Sequence, residues 1–170
     1  MPRAYFDDLQ PGQEWGTAVW EATPEACRAW RDATGDHSDI YEDGEVARKS
    51  VYGRPIVPPG LAFIYLSDCI QDLLREKPPG GVHAKQQLSF HHPVHPGDTL
   101  TTSLKVRNKY IKRERKYVEF DTVTVNQHGQ KVIRTTCKWG LLITSRKFPI
   151  LLRCDFPNVL RGQPSVELAR

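Results

Sequence analysis

The segment that most constrains the fold is an apolar stretch bounded by proline and glycine, "PPGLAFIYLSDCIQDLLREKPPGG" (58–81). The leading prolines favour a helix start, and Pro78–Gly81 favours its end. Apolar side chains recur through it at helical spacing, at Leu61, Ile64, Tyr65, Ile70, Leu73 and Leu74. We therefore predict a long, buried central helix.

The sequence after this helix is rich in β-branched and aromatic residues with partial alternation, which is typical of strands. Four segments have this character: "AKQQLSFHHPV" (84–94), "DTLTTSLKVRNKY" (98–110), "RKYVEFDTVTVN" (115–126) and "QKVIRTTCKWGLLIT" (130–144). "HPGD" and "NQHGQ" separate some of them and are typical of turns. This order predicts an α+β fold in which an antiparallel sheet packs around the central helix.

Three shorter elements are predicted before the central helix. "PGQEWGTAVWEA" (11–22) has the apolar spacing of a short strand. In the following segment Thr23 suits an N-cap, Pro24 suits the first helical position and Gly35 suits the helix end. "DGEVARKSVYG" then predicts a short helix that ends near Gly53.

Length and composition favour one ordinary globular domain. The chain has 170 residues, 39% of them hydrophobic and 26% charged. It contains no apolar run long enough to span a bilayer, and its N-terminal segment lacks a signal-peptide core, so we expect a cytoplasmic protein. The cysteines form no CxxC pair, so we expect reduced thiols, no metal site and no redox motif, at Cys27, Cys69, Cys137 and Cys154.

The formal net charge of +4 is concentrated partly in one segment and does not indicate nucleic-acid binding. One interpretation of this segment is a solvated hairpin tip, and the other is a contact for an anionic ligand such as a phosphate-bearing carrier. Its basic residues are Lys105, Arg107, Lys109, Lys112, Arg113, Arg115 and Lys116, with Glu114 among them.

Five segments, in order, resemble one known family. They are "YFDDLQPGQEW", "ATGDHSDIYEDGEVA", "YGRPIVPPGL", "FHHPVHPGDTL" and "VNQHGQKVI". Together they make residues 4–145 resemble the MaoC-like, hot-dog-fold acyl-CoA dehydratases and R-specific enoyl-CoA hydratases. The resemblance implies a single hot-dog domain over residues 1–145, and residues 146–170 form a C-terminal extension that is irregular or lies over a partner subunit.

The resemblance also implies a function and partners. In that family two hot-dog units pair, as a homodimer or a heterodimer, and sites form near the interface. A tunnel takes an acyl chain carried as a thioester on CoA or on acyl carrier protein, and no cofactor is needed. We therefore expect a hydratase or dehydratase of 2-enoyl or 3-hydroxyacyl thioesters.

The family signature, Gly-Asp-x-Asn-Pro-hydrophobic-His, is only partly present. Gly35, Asp36 and Ile40 match it, Ser-Asp replaces Asn-Pro, and Tyr41 stands where the histidine belongs. By resemblance, Asp36 and Tyr41 are the candidate catalytic residues. Because a phenol titrates near pH 10, Tyr41 does not replace imidazole as a base. It either orients water or the thioester by a hydrogen bond, or it is a packed side chain without a role in the reaction.

Hydration of an enoyl thioester needs a proton acceptor for water, a proton donor for the α-carbon and a stabilised thioester oxygen. Asp36 suits the first two roles, or it caps the loop after Gly35. The start of the central helix suits the third, because Gly60 and Leu61 carry the first backbone N–H groups after two prolines. The alternative is a proline-initiated helix that binds no ligand.

By the same resemblance, Pro59 and Tyr52 are expected to contribute to substrate binding with Gly60 and Leu61. The histidines that flank Pro93 are interpreted as polar residues at a strand edge, with the mouth of the site as the alternative; they are His91, His92 and His95. His37 is adjacent to the aspartate in the chain and is not expected to replace the missing imidazole.

Two further functions stay open beside an active hydro-lyase. The first is a non-catalytic, substrate-binding subunit paired with a hot-dog protein that carries the histidine. The second is a binder or regulator of acyl thioesters without turnover.

Overall fold

The computed structural model describes residues 5–74, 81–141 and 166–167. The strands are β1 (Glu14–Glu21), β2 (Gly81–Phe90), β3 (Thr99–Lys112), β4 (Arg115–Val125), β5 (Lys131–Leu141) and β6 (Val166–Glu167). The helices are α1 (Pro24–Thr34), α2 (Glu45–Lys49) and α3 (Leu61–Leu73), with a 3-10 turn at Asp39–Tyr41.

The described strands form one antiparallel sheet in the order β2-β5-β4-β3-β1-β6. β3 and β4 form the long central hairpin, and α3 packs against β1 and β3. Within the described part of the chain, β2 pairs on one side only and lies at a sheet edge. This confirms the predicted α+β fold, with an antiparallel sheet around one long helix.

The core forms between α3 and the inner face of the sheet. The buried side of α3 includes Leu61, Tyr65 and Ile70, each at most 2% exposed. Tyr65 stacks on Trp20 of β1 with ring centroids 4.7 Å apart. At the other end of α3, the indole of Trp15 donates a hydrogen bond to the carbonyl of Leu73 at 2.7 Å. These contacts fix α3 along the strand direction.

Local signals define α1 as predicted. The N–H of Ala26 donates to Thr23 Oγ1 at 3.2 Å, which satisfies one of the free donors at the helix start. Gly35 ends the helix in the left-handed conformation with φ 70°, and its N–H donates to Arg31 O at 2.8 Å. The turn that follows Gly35 therefore leaves the helix in a fixed direction.

Two predicted bounds need correction. The short helix predicted to end near Gly53 is α2, which ends at Lys49. Ser50 explains the early end, because its hydroxyl donates to Ala47 O at 2.7 Å and accepts from the N–H of Tyr52 at 3.2 Å. The strand predicted over 84–94 runs over Gly81–Phe90 instead, and Pro93 removes a backbone donor in the segment that follows.

The remaining predictions concern the cysteines and the chain end. Cys27, Cys69 and Cys137 are free and buried, as expected, and Cys154 lies outside the described residues. The proposed extension over 146–170 also lies outside them, except for Val166–Glu167, which pair with Thr17 and Ala18 of β1. None of the described helices combines the length and apolar character needed to cross a membrane.

Candidate active site

The candidate site lies where the loop over residues 50–60 leads into α3. The N–H of Val57 donates to Val94 O at 2.7 Å, which joins the loop to the segment between β2 and β3. On the other side, the N–H of Ile56 donates to Ile40 O at 3.3 Å, which joins it to the turn after α1. Residues from three distant parts of the sequence therefore meet around the start of α3.

Asp36 and Tyr41, the two candidate catalytic residues, lie next to each other in this turn. Partial burial raises the pKa of the Tyr41 phenol, and the charge of Asp36 and a hydrogen bond between the two side chains raise it further. The nearby positive charge of Arg31 acts in the opposite direction on the same pKa. Tyr41 is therefore a hydrogen-bond donor at neutral pH and not a base.

Arg31 anchors the turn to α1. Its Nη1 donates to Glu42 Oε1 at 2.6 Å, and its side chain is only 10% exposed. The Nε of Arg31 is buried and makes no hydrogen bond within the described part of the chain. Since Glu42 follows Tyr41 directly, this ion pair limits the movement of the candidate catalytic residues.

The two candidate oxyanion donors at the start of α3 differ in whether their N–H groups are already hydrogen-bonded. The N–H of Leu61 already donates to Pro58 O at 3.0 Å, and that of Ala62 to Pro59 O at 3.1 Å. The N–H of Gly60 donates to no acceptor among the described residues. Of the two groups named from the sequence, Gly60 therefore keeps the N–H that is open to a ligand.

Gly60 also has a packing role. A Cβ atom at this position would lie 2.6 Å from Cζ2 of the Trp30 side chain, well inside van der Waals contact. Trp30 belongs to α1, so α1 packs against Gly60 at the start of α3. A glycine is needed here for the close approach of α1 to α3.

A cavity of about 380 Å³ lies next to the start of α3 and is lined in part by Pro59. Two residues predicted to bind substrate, Tyr52 and Pro59, line this cavity. Its walls also include the buried Tyr65, and burial raises the pKa of that phenol. The other lining residues are mostly apolar: Ile56, Val57, Pro58, Ala62, Phe90, His91, His92, Pro93, Val94 and Ile133.

The predicted site residues therefore form two groups. Asp36 and Tyr41 contact each other but are not among the residues that line the cavity. Ile56 connects the groups, because it lines the cavity and its N–H is bonded to the residue before Tyr41. In this single chain, the polar pair therefore lies outside the apolar cavity and is joined to it through Ile56.

Sequence reasoning assigned the histidines after β2 to a strand edge, and two of them also belong to the cavity. His91 and His92 line it, and Nδ1 of His92 lies 2.9 Å from Lys131 O. Since a carbonyl accepts, Nδ1 carries the proton and Nε2 of His92 is left as the acceptor. The adjacent pair near the end of a predicted strand was the available signal, but the pairing of His91 N–H with Val132 O decides its position.

His95 has a structural role instead. It is buried, and its Nδ1 lies 2.7 Å from Pro55 O, so the imidazole joins the turn before β3 to the loop before α3. Its backbone N–H donates to Asp98 Oδ2 at 2.8 Å. Among the described residues, no group of three His, Cys, Asp or Glu side chains is arranged to bind a metal ion.

Comparison with known protein families gives a match over most of the chain. The model of the FAS1-like, dehydratase domain region matches residues 10–135. The UPF0336 protein of Saccharopolyspora erythraea is 32% identical over 96 residues, 53% of this chain and 61% of that protein. Protein MaoC of Klebsiella aerogenes is 26% identical over 137 residues, 81% of this chain and 41% of that protein. The chain thus spans less than two thirds of the length of these relatives.

Solved structures share the fold. A monoamine oxidase regulatory protein of Archaeoglobus fulgidus aligns with a TM-score of 0.74 at 21% identity, over 82% of this chain and 94% of that chain. An R-hydratase of Pseudomonas aeruginosa aligns with a TM-score of 0.67 at 24% identity, over 79% and 83% of the two chains. A 3R-hydroxyacyl-ACP dehydratase complex of Mycobacterium tuberculosis gives 0.67 at 20% identity, over 77% and 96%. The predicted hot-dog fold is confirmed.

Proposed function

Because the chain belongs to the FAS1-like dehydratase domain family and has the hot-dog fold of R-hydratases, we propose that it is a hydro-lyase acting on 2-enoyl or 3-hydroxyacyl thioesters. The observation that carries this proposal is the contact between Asp36 and Tyr41, in a turn that is bonded through Ile40 to the loop leading to the open N–H of Gly60. A proton-exchanging carboxylate and an oxyanion donor are the minimum that such a reaction requires.

In this proposal Asp36 exchanges protons with the substrate. In the hydration direction the carboxylate accepts a proton from water as the water oxygen bonds to the β-carbon. The same proton then passes to the α-carbon, so that no net proton is gained or lost. The Tyr41 hydroxyl, which keeps its own proton, orients the carboxylate and the water.

Gly60 would stabilise the charge that develops on the thioester oxygen. Its N–H lies at the N-terminal end of α3, where the helix dipole favours negative charge. Removing one oxyanion donor costs about 10²–10³ in kcat in well-studied enzymes. The indole of Trp30 packs against Gly60 on one side of the helix start.

The cavity lined by Tyr52 and Pro59 would take the acyl chain. Its volume of about 380 Å³ and its largely apolar walls suit a hydrocarbon group of moderate size. We propose CoA or acyl carrier protein as the carrier of the thioester, a second hot-dog unit as the partner, and the cytoplasm, where thiols such as Cys27 stay reduced, as the location.

The test is a hydration assay with crotonyl-CoA, followed by loss of the enoyl absorbance. The full chain should turn over this substrate, and Asp36→Asn should abolish the activity. Asp43→Asn is the matched control, because Asp43 is 75% exposed and pairs with Arg48 in the following turn. Full activity of Asp36→Asn would refute the assignment of Asp36, and no turnover with enoyl thioesters of any length would refute an active single chain.

A second candidate function is that of a substrate-binding subunit in a heteromer. Tyr41 at the histidine position favours it, since the phenol does not act as a base at neutral pH. A 3R-hydroxyacyl-ACP dehydratase complex of Mycobacterium tuberculosis has a similar structure. The same assay separates the two functions: a silent chain that raises the activity of a histidine-bearing hot-dog partner is a subunit, and a fully active homodimer is not.

A further inference from the structure

A second concave site lies far from the start of α3, at the tip of the β3–β4 hairpin. It has a volume of about 480 Å³, and we call it the hairpin pocket. It is lined by Tyr110, Lys112, Arg113, Arg115, Tyr117 and Lys138. Four of these six side chains are cationic and the other two are hydroxyl donors. A pocket with this lining offers many hydrogen-bond donors and positive charges to a ligand.

Three of the cations are available to a ligand. Lys112, Arg113 and Arg115 are exposed and form no ion pair with any residue that the structure describes. Lys105, Arg107, Lys109 and Lys116, which belong to the same basic segment of the sequence, are not among the lining residues. The pocket thus gathers three exposed cations of the basic segment at the hairpin tip.

The floor of the pocket is held in place. Tyr110 and Tyr117 stack across the hairpin with ring centroids 5.3 Å apart. Tyr117 lies over Gly140, where an added Cβ would meet its ring at 3.4 Å. Lys138 lies 5.4 Å from the Tyr110 ring centroid and pairs with Glu119 at 2.9 Å. These contacts position two hydroxyl groups and one ammonium group below the hairpin tip.

The turn itself carries charged residues where the backbone favours glycine. Arg113 has φ 49° and Glu114 has φ 62°, the left-handed values of a two-residue hairpin turn. Asn-Gly or Asp-Gly is the usual sequence there, and a non-glycine residue in this conformation costs free energy. Arg113 and Glu114 nevertheless occupy these positions, so both charges lie at the hairpin tip.

We propose that the hairpin pocket is a binding site for a ligand that carries two or more phosphate groups. Arginine and lysine side chains together with tyrosine hydroxyls supply the donors that phosphate oxygens accept. The tyrosine rings are covered by each other, by Lys138 and by Gly140, so the pocket recognises the phosphates and not a stacked base.

This site is separate from the candidate active site of the same chain. β3 starts beside the loop that leads to α3 and has 14 residues, or about 45 Å at about 3.3 Å per residue. Tyr110 and Tyr117 also lie on the sheet face opposite to the buried Val118. The proposal does not depend on hydro-lyase activity. An inorganic polyphosphate has no acyl chain, so its binding tests the hairpin pocket alone.

The test is a calorimetric titration of the full chain with pyrophosphate at low and at moderate salt. We expect saturable binding that weakens as salt rises, because the contacts are ionic and exposed. Arg113→Gly and Arg115→Ala should each weaken binding about tenfold or more, as for the loss of one charge-assisted hydrogen bond. Arg113→Gly is informative because glycine relieves the left-handed turn, so the variant should fold at least as well as the wild type.

Arg134→Ala is the matched control, because Arg134 lies on the outer face of the same sheet and pairs with Asp121 at 3.4 Å. It should bind pyrophosphate like the wild type. An equal loss of affinity in this variant would show a general effect of charge and overturn the site. A wild-type chain that binds no pyrophosphate at about 1 mM would overturn it as well.

Titration with ADP and with CoA then distinguishes the sources of the phosphates. If Arg113→Gly weakens the binding of ADP and of CoA as much as that of pyrophosphate, the diphosphate of both ligands binds in the hairpin pocket. If pyrophosphate fails to bind and only an acidic protein does, the surface is a protein-docking face and the proposal is wrong.

Discussion

Tyr41 keeps its proton because of its neighbours. Burial and the adjacent carboxylate of Asp36 both raise the pKa of the phenol, so its hydroxyl donates to that carboxylate through the neutral pH range. Such a pair has one proton-exchanging group where the family signature has two. The expected result is slow chemistry in the chain alone.

Changing Tyr41 to histidine tests this directly. Tyr41→His places an imidazole beside Asp36, and a positioned general base contributes about 10²–10⁴-fold to such reactions. We expect turnover of crotonyl-CoA to rise at least about tenfold. Tyr5→His, at a residue that is 44% exposed, is the control and should leave the rate unchanged. An unchanged rate in a Tyr41→His variant that folds normally would show that residue 41 does not take part in proton transfer.

For single residues, the sequence predicted which residues belong to the candidate site better than it predicted their positions and partners. The pairing of Asp36 with Tyr41 followed from a local motif seven residues long, and the structure brings the two together. The burial of Arg31 was not predictable, because it depends on Glu42, a residue beyond the helix. Nor did spacing show that His92 would face the cavity, since the register between β2 and β5 decides this.

At the scale of the elements, the close approach of α1 to α3 depends on a glycine at position 60. Gly60→Ser would place a Cβ 2.6 Å from the Trp30 ring, and overpacking of this kind costs about 1–3 kcal/mol. Gly44→Ser is the matched control, because it also precedes a helix, has an extended backbone and has open space around the added atom. The midpoint of urea unfolding should fall for the first variant and stay or rise for the second. Equal midpoints would mean that Trp30 moves aside without cost.

The attachment of the turn to α1 gives a second comparison between elements. Glu42→Gln leaves the buried Arg31 guanidinium without its charged partner, and we expect a loss of about 1 kcal/mol in the free energy of unfolding. Glu25→Gln removes a carboxylate from an exposed pair with Arg28 on the same helix and should have a smaller effect. Chemical denaturation of both variants measures the difference. A larger effect for Glu25 would contradict the anchoring role of Arg31.

Elements with strong local signals were predictable, and those set by their neighbours were not. Thr23, Pro24 and Gly35 defined α1 in sequence because each satisfies a backbone requirement of a helix end. The end of α2 depended on the Ser50 hydroxyl, whose competition with the backbone leaves no periodic signal. β2 began three residues before its apolar pattern, because pairing with β5 continues to Gly81.

For the whole molecule, buried thiols make the fold sensitive to alkali. Burial raises the pKa of Cys27 to about 11 and those of Cys69 and Cys137 to about 12, from 9.0. Above pH 9 the unfolded chain releases these protons and the folded chain keeps them, so stability falls as pH rises. By pH 10.5 the loss should be roughly 2 kcal/mol per thiol.

Urea unfolding at pH 8 and at pH 10.5 measures this loss. Other groups also titrate in this range, so the comparison is between the wild type and Cys27→Ala. The variant should lose less stability than the wild type over the same interval, whatever its stability at pH 8. An identical loss would mean that the Cys27 thiol is accessible to base in the folded chain.

The edge of the sheet has a consequence for how this protein must be produced. β2 is ten residues long, pairs on one side within the described chain, and ends at Phe90, which is 53% exposed. Its open amide and carbonyl groups accept any extended backbone, because main-chain hydrogen bonds do not depend on side-chain identity. An uncovered β2 is therefore a place where a second extended chain can pair, and we expect this chain to self-associate when it is in excess of a protein that covers the edge.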